Sequence, residues 1–434
     1  MRANGTFKEI VAAPARVSID AVLPDLSARL PELIGCRVDA ASTIGSLNVG
    51  VIAVGSVGRN IAIHLARLGV ATIWIVDRGR FKRESLLTQS IAPEDIPQRK
   101  ASNAARLCKR ISPRTRVFAY DGPVEAIDAV ALADADVALL STDNLAAEVE
   151  VGQRCLNLGV PLIHAAVHGD TLVAQVRVFG NFTGDGPCPV CAFGETEWLH
   201  LNAQTSYSCE GGSPAGAEIR VEGPPTRSIA SLCSLAADVA VIQILRRALG
   251  LGEPVDDTLV EYCGFTHKTV VSRLARNPGC PCNHGRWRAV SLRRPLAQST
   301  LRELAVAAGA RAPERAAFTA GDSRFVETGA CRRGHAQPVR RFVAPEQDLG
   351  SCPECAAPLS AGAFTSHASV AASRLGALLD RPLRDLADPP PPWILVHDGD
   401  ASVLLRARAT GAPSPHAPKS GAPSSDESEG DRRD

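Results

Sequence analysis

The chain has 434 residues, 45% of them apolar and 21% charged, the composition of a globular protein with roughly two or three domains and not of a disordered or fibrous chain. Its 47 Lys and Arg nearly cancel 46 Asp and Glu, leaving a net charge of +1, so no overall field gathers polyanions, and neither a nucleic-acid nor a membrane partner is expected. Residues 1–16 mix Arg, Lys and Glu with small residues, unlike a secretory signal, and no uninterrupted apolar run reaches the eighteen or so residues of a membrane span. A cytoplasmic location is therefore expected. Of thirteen cysteines, seven fall in short-spaced groups (Cys188/Cys191, Cys280/Cys282, Cys331, Cys352/Cys355), which in that compartment favours metal over disulfides.

In chain order, residues 1–44 are expected to form an N-terminal helical extension. Apolar runs at Val49–Val54, Thr72–Val76, Val137–Leu140 and Pro161–Ala165 alternate with helix-compatible stretches at Arg59–Leu68, Ser102–Ile111 and Leu145–Leu158. That alternation predicts a Rossmann-like doubly wound sheet with helices on both faces. Thr171–Val178 alternates apolar and polar residues, as a half-exposed antiparallel strand does, so the sheet becomes mixed there. Residues 203–228 are polar and rich in Gly and Pro, and read as a long loop before an apolar helix at Ile229–Leu249. Residues 45–290 are taken as one nucleotide-binding domain and 295–408 as a smaller C-terminal domain with its own cysteine cluster. Residues 409–434 lack periodicity and read as a disordered tail.

The first chemical signal is VGVIAVGSVGRNIAIHLARLG, a strand, a glycine turn and a helix. Ala53, Gly55 and Gly58 occupy the small positions of a GxGxxG fingerprint, where the backbone approaches phosphate and a helix N-terminus faces it. Asp77 ends the second strand, where a carboxylate accepts ribose hydroxyls. Lys100 opens a helix in PQRKASNAARL, and Asp143 follows the strand VALLSTDN. These suit a phosphate and a Mg²⁺ ion, against the plainer roles of solvated Lys and helix-capping Asp. Cys188 and Cys191 form a chelating knuckle, and RNPGCPC adds Cys280 and Cys282, so four thiolates can form a tetrahedral zinc site with His284 as the alternative to Cys282. Cys331, His335, Cys352 and Cys355 have the spacing of a second, zinc-ribbon-like site.

The order AVGSVG, Asp77, PQRK, STDN, CPVC and RNPGCPC resembles the ThiF/MoeB/HesA superfamily, bacterial relatives of the ubiquitin-activating enzymes, across about residues 45–285. The resemblance implies MgATP-dependent adenylation of the C-terminal glycine of a ubiquitin-like or sulfur-carrier protein by a homodimer. It implies that Gly55, Gly58, Asp77, Ser85 and Asn144 lie around the nucleotide, that Lys100 contacts phosphate and that Asp143 holds Mg²⁺. It also places Cys209, in the loop sequence SYSCEGG, where thioester-forming members carry their nucleophile, with a conjugating enzyme or sulfur donor as a further partner; other members stop at the adenylate. Two departures stand out. SLLTQ replaces the usual Asn-Leu-Gln-Arg-Gln, putting Ser85 and Thr88 at the Asn and Arg positions, and the N-terminal Arg-Tyr-x-Arg-Gln segment is missing. Arg59, Arg80, Arg83 and Arg99 are the nearby cations able to compensate. Two other readings follow from the same residues: a non-catalytic zinc-binding scaffold of this fold, and an NAD-dependent oxidoreductase, which the glycine turn and Asp77 would serve equally but which leaves the cysteine framework, Lys100 and Asp143 unexplained.

Overall fold

The computed structural model describes residues 7–11, 36, 38–124, 127, 132–182, 186–204, 228–344, 347–362 and 364–407. Its largest unit is a nine-stranded sheet of β1 (Lys8–Glu9), β2 (Asn48–Ile52), β3 (Thr72–Val76), β4 (Arg116–Tyr120), β5 (Val137–Leu140), β6 (Leu162–His168), β7 (Val173–Phe179), β8 (Thr258–Cys263) and β9 (Lys268–Arg273). The order is β1-β4-β3-β2-β5-β6-β7-β8-β9. Strands β4, β3, β2, β5 and β6 run parallel, as their near-continuous apolar sequences require of strands covered on both faces. From β7 onward the pairing is antiparallel. Ala174, Val176 and Val178 of β7 are buried, as the alternating pattern predicts.

Helices α1 (Ala40–Gly45), α2 (Ser56–Leu68), α3 (Lys100–Ile111), α4 (Leu145–Leu158), α5 (Glu195–Gln204) and α6 (Ala230–Leu249) accompany this sheet. Val49, Val51, Ile73, Ile75 and Ile163 pack with Ile61, Leu65, Ala104, Ala237 and Ile244, so α2, α3 and α6 cover one face. The alternate strand residues Ile52, Val76, Leu140 and Leu162 pack with Ala147 and Val151 of α4 on the other. Both α2 and α4 end on a left-handed glycine, Gly69 and Gly159, the conformation that releases the chain into the next parallel strand.

A second sheet combines β10 (Trp287–Leu292), β11 (Ala317–Ala320), β16 (Val370–Ala371), β17 (Trp393–Asp398) and β18 (Ala401–Ala407) in the order β10-β18-β17-β11-β16. Its core gathers Phe318, Ile394, Val396 and Leu405 around Leu301 and Leu304 of α7 (Leu301–Ala308). A third sheet joins β12 (Arg324–Cys331), β13 (Ala336–Val343), β14 (Leu359–Ala361) and β15 (Ser366–His367). Trp393, Leu395 and Leu404 of the second sheet pack with Trp287 and Leu158, at the end of α4, and Arg406 pairs with Asp134 at 2.5 Å. Most of the expected N-terminal extension, the loop holding Cys209 and the tail from 408 lie outside the described residues.

Candidate functional site

The strand order reverses direction between β2 and β5: chain segments after β2 wind one way to β3 and β4, and β5 then pairs on the other side of β2. The crevice at such a switch point is where open α/β sheets take their ligands. The glycine turn after β2, Asp77 after β3 and the Ser141–Asn144 segment after β5 all meet this edge.

The turn is built by three different demands at the three small positions. Ala53 has φ 65, the left-handed region that favours glycine, so this chain tolerates strain of about 1 kcal/mol where the fingerprint places its first Gly. A Cβ on Gly58 would stand 2.0 Å from the Ala53 carbonyl oxygen and 2.5 Å from Ser141 Oγ, so α2 can approach the strand only with glycine there. A Cβ on Gly55 would meet nothing within 4 Å; the open space at this N-cap of α2 is where an anion faces the first N–H groups of the helix. Ser141 Oγ donates to the Ala53 carbonyl at 2.8 Å, tying the β5 exit to the turn.

The Asp77 carboxylate accepts from Val54 N–H at 2.8 Å and from Gly79 N–H at 2.6 Å, which fixes it at the mouth of the turn with acceptor capacity to spare for hydroxyls. Lys100 is the first residue of α3, its N–H bonded to the Gly79 carbonyl at 3.1 Å. A Cβ on Gly79 would lie 3.0 Å from Asp77 Oδ1 and 3.4 Å from the Lys100 stem, so the two side chains converge over this glycine. Asp143 is exposed, and the N-cap of α4 is Asn144, whose Oδ1 accepts from Ala146 and Ala147 N–H at 2.9 and 3.2 Å. The cap therefore belongs to Asn144.

Ser85 is buried, and its hydroxyl accepts from Lys82 N–H at 3.1 Å within a short helical turn. Thr88, at the position of the absent arginine, accepts from Ser56 Oγ at 2.8 Å, so the first residue of α2 meets a neutral hydroxyl. Among the compensating arginines, Arg59 is internal: it donates to Asn103 Oδ1 at 2.7 Å and the Ser90 carbonyl at 3.1 Å and stacks over Phe81. Arg80 and Arg99 donate to the Pro97 and Arg78 carbonyls, and Arg83 is exposed. Cys233 is fully buried beside Ser56, and burial raises its pKa, so it packs as a small apolar residue.

Two groups of Cys and His bring four ligand atoms within 4.8 Å of one another. The first is Cys188, Cys191, Cys280 and His284. The expected Cys282 stands outside it, beside Cys188, where its hydrogen bond raises the Cys188 pKa. Cys280 and Cys282 are separated by one residue, one fewer than a knuckle such as Cys188-Pro-Val-Cys191 uses to turn both thiols to one centre, and an imidazole completes the set. His284 is 8% exposed, its Nδ1 lies 3.0 Å from the Gly186 carbonyl and its Nε2 lies 3.6 Å from Cys191 Sγ. Donation from Nδ1 to that carbonyl leaves Nε2 as the lone-pair donor toward the thiols, the arrangement that orients histidine on a metal. The second group is Cys331, His335, Cys352 and Cys355, on the β12–β13 turn and the turn before β14. Burial raises the Cys331 pKa, but N–H groups of Arg333 and His335 and the Cys355 thiol outweigh it and bring it to about 7, so the thiolate is available at neutral pH. Three thiols with one imidazole fit tetrahedral Zn²⁺ at both places.

Residues 29–282 match the ThiF family. The chain belongs to that family. Among ThiF-type relatives, the molybdopterin-synthase adenylyltransferase of Escherichia coli is 26% identical over 250 residues, spanning 57% of this chain and 91% of that protein. The sulfur carrier protein adenylyltransferase of Thermus thermophilus is 27% identical over 239 residues, spanning 54% and 81%. The crystal structure of Escherichia coli MccB with ATP aligns with a TM-score of 0.44 at 16% identity, covering 56% of this chain and 68% of that one. The family match stops before the second sheet begins at Trp287.

Proposed function

We propose that this ThiF-family chain adenylates the C-terminal glycine of a ubiquitin-like or sulfur-carrier protein with ATP. The observation that carries this reading is the convergence of the glycine turn, Asp77, the start of the Lys100 helix and the Asp143 segment on one switch-point edge. The α2 N-terminus and Gly55 receive phosphate, Asp77 takes the ribose hydroxyls, and Lys100 offsets charge as the carrier's carboxylate attacks the α-phosphorus and pyrophosphate leaves. Mg²⁺ held by Asp143 supplies further charge for the phosphates. In the thioester route, the Cys209 thiolate attacks the acyl-adenylate, forming the thioester C–S bond and expelling AMP. Zn²⁺ at the Cys188 and Cys331 groups would have a structural role, the first pinning the end of the main sheet and the second the C-terminal ribbon. A homodimer in the cytoplasm completes the proposal, as does a conjugating enzyme that accepts the acyl group or a sulfur donor that delivers sulfur to it.

The test is mass spectrometry of small glycine-terminated proteins from the same genome after incubation with the chain and ATP. Addition of AMP to one of them, dependent on an intact Asp143, is the expected result. Tight binding of NAD with none of ATP would favour the oxidoreductase instead, and binding of neither would favour the scaffold.

A further inference from the structure

The α4 face of the main sheet carries a buried pair of titratable side chains. Glu148 of α4 and His164 of β6 are 5% and 3% exposed, among Leu140, Ala147, Val151 and Leu162. His164 Nδ1 lies 3.1 Å from Glu148 Oε1, and Arg177 of β7 approaches the same oxygen at 3.8 Å. His164 Nδ1 and Nε2 and Glu148 Oε1 are all buried without a hydrogen bond of full geometry, so the 3.1 Å approach is a charge contact. Burial raises the Glu148 pKa, but His164 and Arg177 outweigh it and hold the carboxyl below its usual range, so it is ionised inside the protein.

Such a pair is costly: apolar residues of similar volume are often equally or more stabilising, and an unpaired buried nitrogen costs about 1–3 kcal/mol. Its place in the fold suggests what it does. His164 is the register partner of Leu140, the last residue of β5. Glu148 is in the first turn of α4, with its N–H on the Asn144 carbonyl at 3.0 Å. The pair thus joins the two ends of the short segment that carries Asp143, one through the strand and one through the helix. Among the segment's other ties are Ser141 N–H to the Ile52 carbonyl at 3.1 Å, Ser141 Oγ to Ala53 and Asn144 N–H to Thr142 Oγ1 at 3.0 Å. An apolar contact would let α4 roll or slide on the sheet; a close buried charge contact between a strand residue and a first-turn carboxylate, 3.1 Å long, resists that movement.

We propose that Glu148 and His164, steadied by Arg177, are positioning residues: they lock the first turn of α4 to β6 and so set where Asp143 presents its carboxylate to the metal of the bound nucleotide. This rests on the adenylation reading above. Neither residue touches the reacting atoms.

The experiment is carrier-dependent ATP–pyrophosphate exchange by the full chain, titrated with Mg²⁺, for wild type, Glu148→Gln, the double variant Glu148→Leu/His164→Leu, and Gln153→Ala. Gln153 is on the same helix but bonds the Asn283 carbonyl near the first Cys/His group. Supporting-shell residues change metal affinity or activity by about 10–100-fold, so the double variant should need at least about tenfold more Mg²⁺ for half-maximal exchange. Its melting temperature should be equal or higher, and its KM for the carrier unchanged. Glu148→Gln keeps the volume and a polar oxygen beside His164 but removes the charge, and should fall between it and wild type; this conservative variant decides the matter if the double variant does not fold. Gln153→Ala should change stability without changing the Mg²⁺ requirement. A wild-type Mg²⁺ requirement in the folded double variant, or in Glu148→Gln if only that variant folds, overturns the positioning role alone. Absence of exchange in wild type with every carrier overturns the adenylation reading and this role together.

Discussion

The nucleotide edge and the two Cys/His groups are organised by opposite means. At the edge the backbone is already arranged without a ligand: Asp77 holds two N–H groups, Gly58 permits a contact that no Cβ allows, and Ala53 carries a strained φ to make the turn. At the Cys/His groups thiols and imidazoles face one another, and only an ion can satisfy so many lone pairs at once. Changes at the first region should cost chemistry at little cost in stability, whereas changes at the second should cost stability first. The two groups differ as well. Cys188 and Cys280 are 92 residues apart in sequence, Cys331 and Cys355 only 24. Closing the longer loop, nearly two doublings, contributes about 1 kcal/mol more.

The largest expected effect follows from that contrast. Zinc should be found at about two per chain by metal analysis. Cys188→Ser should lose one of them and destabilise the nucleotide-binding region by more than about 4 kcal/mol, the range of a lost metal site. Cys352→Ser should lose the other and loosen chiefly the third sheet, with less effect on pyrophosphate exchange. Denaturant unfolding followed at Trp74, with the other tryptophans replaced, reads the first region, and amide hydrogen exchange along β12 and β13 reads the second. Equal loss of pyrophosphate exchange in both variants would break the comparison, and zero zinc would remove its second half.

At the nucleotide edge, Asp143→Ala should reduce exchange on the order of a hundredfold or more while unfolding at nearly the wild-type denaturant concentration. Near-normal exchange would move the metal elsewhere. Cys209→Ala should keep exchange and lose any reductant-sensitive adduct with the carrier, because the adenylate forms before thiol attack. Cys233→Ala should keep both, at a packing cost of roughly 1 kcal/mol. The smallest effect sharpens the account of the turn: Ala53→Gly should relieve the left-handed φ and stabilise by about 1 kcal/mol or less, since glycine's greater unfolded-state freedom offsets part of the gain. Destabilisation there would mean that the Ala53 methyl packs in a way the turn geometry does not require.

Much of this region could be read from the sequence because local patterns determined it. The strand Thr72–Val76 and the helix Leu145–Leu158 have the bounds expected from their apolar periods, and α2 begins at Ser56, directly after Gly55, as a phosphate-binding turn requires. What could not be read depends on partners distant in sequence. His284 enters the first Cys/His group through Gly186, 98 residues earlier; the Asn-His following Cys-x-Cys was the available signal, and it could not choose between two donors. Glu148 and His164 look like an exposed helical carboxylate and a strand histidine until the sheet register places His164 against Leu140. Asn144 took the cap from Asp143 because its side-chain oxygen reaches two helix N–H groups, a choice that two adjacent capping residues leave open. The second sheet could not be assembled from the sequence, since β10 pairs in parallel with β18, more than a hundred residues later.

The central claim is tested most directly by ATP–pyrophosphate exchange of the wild-type chain with each small glycine-terminated protein of its genome. The account predicts exchange that requires Mg²⁺, is specific to one or a few carriers and is lost when the carrier's terminal glycine is removed. Tight ATP binding with no exchange for any carrier would contradict it, and would leave a nucleotide-binding scaffold in place of an adenylating enzyme.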